Sequence, residues 1–335
     1  MDSVSYGLAE QPGPPCAVGS LLGESPAMNE VFRLIERVGP TDACVLLTGE
    51  IGSGKELTAR SIHECSARRG GAFVAINCGA IPAGLIEAEL FGYEKGSVTG
   101  AVRSQAGAFE RAQGGTLLLD EVTEMPLDMQ TRLLRVLETR KFYRVGATTE
   151  LTSDFRVIAA TNRCPLQAVQ NGQLREDLLY RLAVFPVALP PLRNRDDDVE
   201  LLAEHFLAEL NARGRTQKQF SALARMMLKQ HAWPGNVREL KNCVERAYIL
   251  GDIILDVAPL IPGTALRSND QFSDDRRLNI RVGTRIYDME RSLIEATLDY
   301  FKGNKRRAAD TLGCSLKTLY NKLNGYSQRQ ECANT

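Results

Sequence analysis

Residues 44–55, CVLLTGEIGSGK, decide the fold. Cys44 to Thr48 form a short apolar run of strand character, and ELTARSIHECSA after Lys55 has helical spacing. Between them, Gly49-Glu50-Ile51-Gly52-Ser53-Gly54-Lys55 fits G-x-x-x-x-G-K in the strand–turn–helix context the pattern requires. Glycines there let backbone N–H groups wrap a phosphate. The helix N-terminus adds a favourable dipole, and Lys55 can reach the β- and γ-phosphates. A glycine-rich turn that merely starts a helix is the plain alternative, and the flanking strand and helix weigh against it. Glu56 stands where a general phosphate loop has Ser or Thr on Mg2+, so a metal ion must lean on other ligands or on water.

Working outward, FVAIN (73–77), TLLLD (116–120) and RVIAAT (156–161) are likewise short, apolar and followed by helical patterns. Apolar strands separated by helices predict an α/β fold, a parallel sheet covered on both faces. Asp120 and Glu121 then lie at the carboxyl edge of the sheet beside the loop. Asp120 can hold Mg2+, and Glu121 can polarise a water that attacks the γ-phosphate. Alone, such a pair is also a common helix N-cap. Asn162 follows RVIAAT and can sense the γ-phosphate or position the water, with a plain turn as its alternative. Asn77 ends FVAIN in the same way and can couple to Glu121. Arg175 and Arg181, in LREDLLYRL, sit on neighbouring faces of a helical stretch, where solvated helix arginines are the ordinary reading. Arg238, after WPGNV, can contact phosphate from a helical subdomain or form a surface ion pair.

The chain has 335 residues, with 41 Lys plus Arg against 41 Asp plus Glu. That zero is a sum of opposites. Residues 281–335 carry 10 Lys/Arg against 6 Asp/Glu, and residues 1–280 carry 31 against 35. A uniformly basic nucleic-acid coat protein is excluded, whereas a basic module on an acidic body is not. Eight cysteines without C-x-x-C spacing and only three histidines predict no zinc cluster. With no signal peptide and no membrane-length apolar run, this reads as a reduced, cytoplasmic protein. The boundaries are a flexible arm (1–20), an α/β unit (21–192), a helical subdomain (193–258), a linker (259–280) and a basic helical domain (281–328).

In that last domain, residues 302–322 carry six Lys/Arg and one Asp. AADTLG ends a helix at Gly313, and Ser315 caps the next one. Ala308, Ala309, Leu312, Leu316, Leu319 and Leu323 are spaced to pack the two together, a helix-turn-helix pattern. Lys317, Thr318 and Asn321 would face the major groove. Lys322, Lys305, Arg306 and Arg307 would meet phosphates. A basic helical hairpin is the alternative. The helix before it would form a dimer contact, so the DNA site would be palindromic.

Taken in order, these blocks resemble the AAA+ ATPases, specifically the enhancer-binding proteins that activate sigma-54 RNA polymerase. The resemblance rests on GEIGSGKE, ELFGYEKG (89–96), FERAQGGTLLLDE (109–121), RVIAATN, REDLLYRL (175–182), LPPLRNRDDD (189–198) and WPGNVRELKN (233–242), and spans nearly the whole chain. It implies an AAA+ fold with a helical lid, then a Fis-type helix-turn-helix. By resemblance, Lys55 is the Walker A lysine and Asp120 with Glu121 the Walker B pair. Asn77 becomes the switch asparagine, Asn162 sensor I and Arg238 sensor II. Arg175 and Arg181 become arginine fingers, acting across subunits of a ring, usually a hexamer, that holds ATP between protomers.

Gly96-Ser97-Val98-Thr99-Gly100-Ala101 stands where the family has a sigma-54 contact loop, G-A-F-T-G-A. Val98 replaces its aromatic residue, which offers a broader apolar face to a partner. The loop would then grip sigma-54 weakly or need a second, complementary subunit. Thr123 stands where relatives often have Gly, with little chemical consequence expected. The resemblance implies an ATP-driven activator that binds upstream enhancer DNA and remodels the closed promoter complex. The stretch before residue 21 leaves no room for an attached sensor, which implies control by a separate regulatory protein, by synthesis level or by a homologous subunit. Two other readings compete: a DNA-binding regulator acting with another sigma factor, and a general AAA+ unfoldase or helicase, which would leave the Fis-like tail unexplained.

Overall fold

The computed structural model describes residues 16–18, 21–97, 103–257, 286–301 and 304–323. The chain divides into two units, Met1–Pro262 and Gly263–Thr335. The first is built on five parallel strands: β1 (Val45–Thr48), β2 (Phe73–Asn77), β3 (Thr116–Asp120), β4 (Arg156–Thr161) and β5 (Phe185–Ala188). Their order is β5-β1-β4-β3-β2. The apolar runs predict the first four. The fifth, FPVA, is disguised by Pro186, which a ladder tolerates at a sheet edge, where β5 lies.

Alternation along each strand builds two cores. Val45, Leu47, Leu118, Ile158 and Ala160 face one side, covered by α1 (Pro26–Val38) and α2 (Lys55–Glu64). Leu46, Leu117, Leu119, Val157 and Ala159 face the other, under α3 (Ala83–Phe91), α4 (Leu127–Thr139) and α5 (Glu176–Leu182). Every residue of β4 is buried, including Arg156. Its guanidinium donates to the carbonyls of Val38 at 2.8 Å and Gly39 at 2.7 Å, satisfying the C-terminus of α1 from inside the sheet. Arg175 is the N-cap of α5 and so lies outside the helix, because its extended backbone precedes the first helical turn. The expected pair of neighbouring helix faces therefore reduces to Arg181 alone.

A lid follows, of α6 (Asp198–Gly214), α7 (Ala222–Gln230) and α8 (Asn236–Leu250). Its core surrounds fully buried Trp233, whose indole N–H donates to the Leu228 carbonyl at 2.9 Å. Ile254–Leu255, at the end of the lid, forms a short strand. It pairs in parallel with Gln219–Phe220, a partner too short to read from sequence. The arm pairs Cys16–Val18 with Leu21–Gly23; the linker lies outside the described residues.

The second unit contains α9 (Ile286–Tyr300), α10 (Lys305–Thr311) and a helical stretch over 316–323. Gly313 takes φ 66° at the turn, a conformation that suits glycine. Ser315 Oγ accepts from the Thr318 amide at 3.1 Å, the expected cap. Ala308, Ala309 and Leu319 are buried as expected, together with Ile294 of α9. Leu316 remains 41% exposed and takes no part in this core, to which Leu312 and Leu323 add partly buried contacts. Among the described residues, no helix is long and apolar enough to cross a membrane. Cys44, Cys65, Cys78, Cys164, Cys243 and Cys314 are free thiols.

Candidate functional site

Parallel pairing brings four strand ends together, with β3 and β4 paired at the centre. Thr161 pairs with Thr48, and Asn77 with Asp120, so the phosphate loop, Asn162 and the carboxylate pair share one sheet edge. Gly52 (φ 78°) and Gly54 (φ 105°) give the loop its left-handed turns. A methyl on Gly52 would stand 2.3 Å from the Gly235 carbonyl oxygen, so the lid lies directly against the loop. Lys55 Nζ donates to the carbonyls of Gly49 at 2.8 Å and Glu50 at 3.1 Å. Burial pushes its pKa down, and Asp120 and Glu121 oppose that shift. Glu56, exposed, pairs with Arg60 at 3.7 Å.

A cleft of about 410 Å³ opens here, with Gly54, Lys55, Asp120 and Glu121 on one side and Arg238 and Lys241 of α8 on the other. Lys241 escapes the sequence reading, although it stands three residues after Arg238 and so shares its helix face. Glu121 adopts φ 52°, a left-handed backbone rare outside glycine. A methyl on Gly79 would lie 2.5 Å from Glu121 Oε2, so that carboxylate packs against the turn after Asn77. Asn77 Oδ1 accepts from the amides of Gly79 and Ala80, both at 2.9 Å. Asn77 and Glu121 thus share a neighbour, with no hydrogen bond between them among the described residues. Two buried oxygens beside the loop, Ser53 Oγ and Asn162 Oδ1, have no hydrogen-bond partner. Buried polar atoms normally find one, so these fit a site built around a polar ligand. A nucleoside triphosphate suits the Lys55 and Arg238 walls of the cleft, and a divalent cation suits its Asp120 and Glu121 carboxylates.

The lid holds the loop through residues the sequence quoted only as blocks. Glu50 turns to the lid, accepting from Arg193 Nη1 at 2.8 Å and Nη2 at 2.6 Å and from Asn236 Nδ2 at 3.1 Å. Arg193 and Asn236 hold its carboxyl down at about 2. Asn236, buried with φ 53°, also donates to the Ile51 carbonyl at 3.1 Å. Asp198, the first residue of α6, accepts from the Ser25 hydroxyl at 2.8 Å and the Glu24 amide at 2.7 Å, tying the lid to α1.

Arg175 and Arg181 are not among the residues lining this cleft. Arg175 forms a fork with Asp177 at 3.0 and 2.7 Å, and Arg181 donates to the Leu137 carbonyl at 3.1 Å. Of the candidate contact loop, Gly96 and Ser97 are described; Val98, Thr99, Gly100 and Ala101 lie outside the described residues. Ser97 Oγ donates to the Glu94 carbonyl at 2.6 Å, and Arg144 joins Glu94 at 3.0 Å to Glu110 at 2.6 Å, bracing the loop's base.

In the second unit, Arg306, Arg307, Lys317 and Asn321 are exposed. Lys305 lies over the Tyr320 ring at 4.6 Å. The Thr318 hydroxyl is 2.7 Å from that of Ser315, and Lys322 pairs with Glu290.

A parallel-sheet phosphate-loop ATPase with a helical lid, joined to a helix-turn-helix unit, is the class that fold and site define. Residues 21–188 match the sigma-54 interaction domain, 193–271 the AAA+ ATPase lid domain and 286–326 the Fis family of bacterial regulatory proteins. The transcriptional regulatory protein FlbD of Caulobacter vibrioides is 44% identical over 314 residues, covering 90% of this chain and 69% of its own. The DNA-binding transcriptional regulator NtrC of Azospirillum brasilense is 44% identical over 329 residues, covering 90% and 68%. The crystal structure of NtrX from Brucella abortus in complex with ATP is similar with a TM-score of 0.67 and 36% identity, over 92% of this chain and 69% of that one. The chain belongs to the family of sigma-54-dependent transcription activators, ATPases with a Fis-type DNA-binding domain. The reading as a regulator acting with another sigma factor is not favoured.

Proposed function

We propose that this activator works in the cytoplasm as a ring, six-membered in the manner its resemblance implies, that holds ATP between protomers and remodels the closed sigma-54 promoter complex. The observation that carries this is the division of the ATP machinery. Lys55, Asp120, Glu121 and Arg238 surround one cleft, while Arg175 and Arg181 stand outside it. A neighbouring protomer then supplies the missing guanidinium, which makes hydrolysis depend on assembly.

On this reading, the backbone from Gly49 to Gly54 cradles the phosphates and Lys55 leaves its carbonyls for them. Asp120 would hold Mg2+, which supplies charge neutralisation at the phosphates. Glu121 takes the attacking water's proton, and Asn162, with its partnerless oxygen, orients that water. Asn77 sets the turn on which Glu121 rests. Arg238, with Lys241, reports the phosphates to the lid. The loop 96–101 engages sigma-54, its grip reduced by Val98. Arg306, Arg307 and Lys305 hold DNA phosphates, and Lys317, Thr318 and Asn321 read a palindromic upstream site. Lys322, paired with Glu290, stiffens the module.

The test is transcription in purified components from a sigma-54 promoter with an upstream site. Open complexes should require hydrolysable ATP and vanish with Lys55→Ala, and Val98→Phe should raise their yield. Unchanged ATPase activity in Lys55→Ala would sink the site assignment. Hydrolysis without open complexes would sink the remodelling role.

A further inference from the structure

Two contacts lace the turn after the carboxylate pair to the segment that carries Asn162. Thr123, in the short 3-10 turn Val122–Glu124, is buried, and its hydroxyl lies 3.0 Å from that of Thr161, the last residue of β4. One residue further along the turn and two along the other segment, Glu124 pairs with Arg163 at 2.5 Å. Asn162 sits between the two laced positions, and Glu121 immediately precedes the laced turn. The turn has no ladder partner of its own: Asp120 ends β3, and Glu121 leaves the strand with a left-handed backbone. Beyond the pairing of β3 with β4 and the burial of Val122, these side chains tie the turn to the segment that carries Asn162.

We propose that Thr123 is a positioning residue for ATP hydrolysis, whose hydroxyl bridge to Thr161 holds Glu121 and Asn162 at one fixed spacing. The proposal rests on the reading that Glu121 and Asn162 act on the attacking water. The geometry gives Thr123 a role distinct from filling space. Thr161 Oγ1 also accepts from the Arg163 amide at 3.1 Å, so it keeps a partner when Thr123 loses its hydroxyl. Thr123→Val preserves shape, and Thr161 Oγ1 keeps its backbone partner. What it removes is the tie between the two catalytic segments, and a small misplacement of reacting groups costs rate more than binding.

The experiment is steady-state ATPase kinetics on the full chain. Thr123→Val should lower kcat on the order of tenfold while the KM for ATP stays within about twofold, and Thr123→Ser should restore kcat. In an Asn162→Ala background, Thr123→Val should add little, since its effect passes through that residue. Should valine disturb folding, Thr123→Ala removes the hydroxyl without bulk and carries the same expectations. Wild-type kcat in both hydroxyl-free variants overturns the proposal, as does an equal loss with and without Asn162. Glu121→Gln is the separate control. If it hydrolyses ATP normally, the underlying reading of the site fails, whatever Thr123 does.

Discussion

Arg195 Nη2 donates to the carbonyl of Ser53 at 2.6 Å, so a buried guanidinium of the lid segment grips the phosphate loop by its backbone. The same group donates to the Pro190 carbonyl at 2.8 Å. Burial pushes its pKa down to about 10, which leaves it charged at neutral pH. Arg195→Met should strip both carbonyls of their donor and destabilise the first unit by about 2–4 kcal/mol. Arg195→Lys should recover only part of this, because an ammonium lacks the planar fork. Urea unfolding checks both, and a methionine variant as stable as wild type would contradict the latch.

Glu50 gives the latch a pH dependence. Its carboxyl is held at about 2 in the folded chain against an ordinary 4.5. A depressed folded pKa contributes stability above the ordinary value, and that contribution fades as pH falls toward the folded one. Glu50→Gln should therefore be less stable than wild type at neutral pH, by under about 1 kcal/mol given its exposure. The difference should close between about pH 4.5 and 2. Melting curves across that range test it, and a pH-independent difference would refute the electrostatic account.

Arg175→Ala should lower kcat roughly a thousandfold with little loss of fold, since its only side-chain partner among the described residues is the exposed Asp177. Mixed with Lys55→Ala protein, it should regain part of the activity, because some interfaces then combine an intact lysine with an intact arginine. Fluorescently labelled protomers would confirm that mixing occurred. Mixed oligomers that stay inactive would show that Arg175 does not act across the interface.

Thiol reactivity should follow burial. Cys164 and Cys65 are exposed and should be alkylated first among the described cysteines, Cys65 the slower because partial burial and the nearby Glu64 push its thiol up. Burial pushes the Cys78 thiol up to about 12 and the Cys243 thiol up to about 11, so both should react only on unfolding. Peptide mass spectrometry after timed maleimide exposure reads this directly.

Much of the fold was legible because its signals are local. A strand that runs into Gly49, or ends in Asp120, carries both its apolar run and its terminal signal within a few residues. The same locality made Lys55, Asp120, Glu121 and Asn162 readable as a group, since parallel strands deliver their carboxyl ends to one edge. Gly313 and Ser315 marked the helix-turn-helix for a like reason: each acts on backbone within three residues. β5 stayed hidden because Pro186 weakens its pattern and only its edge position makes the proline tolerable.

What the amino-acid order determined by itself, then, was the architecture and the chemistry of the phosphate site. The tertiary structure alone decided how that site is held. Arg193, Arg195 and Asn236 meet the loop from more than 140 positions away, and Thr123 finds Thr161 across 38. Such partnerships depend on which carbonyls and hydroxyls folding leaves buried and in need of a donor, a condition that exists only once the lid has closed its own core beside the loop.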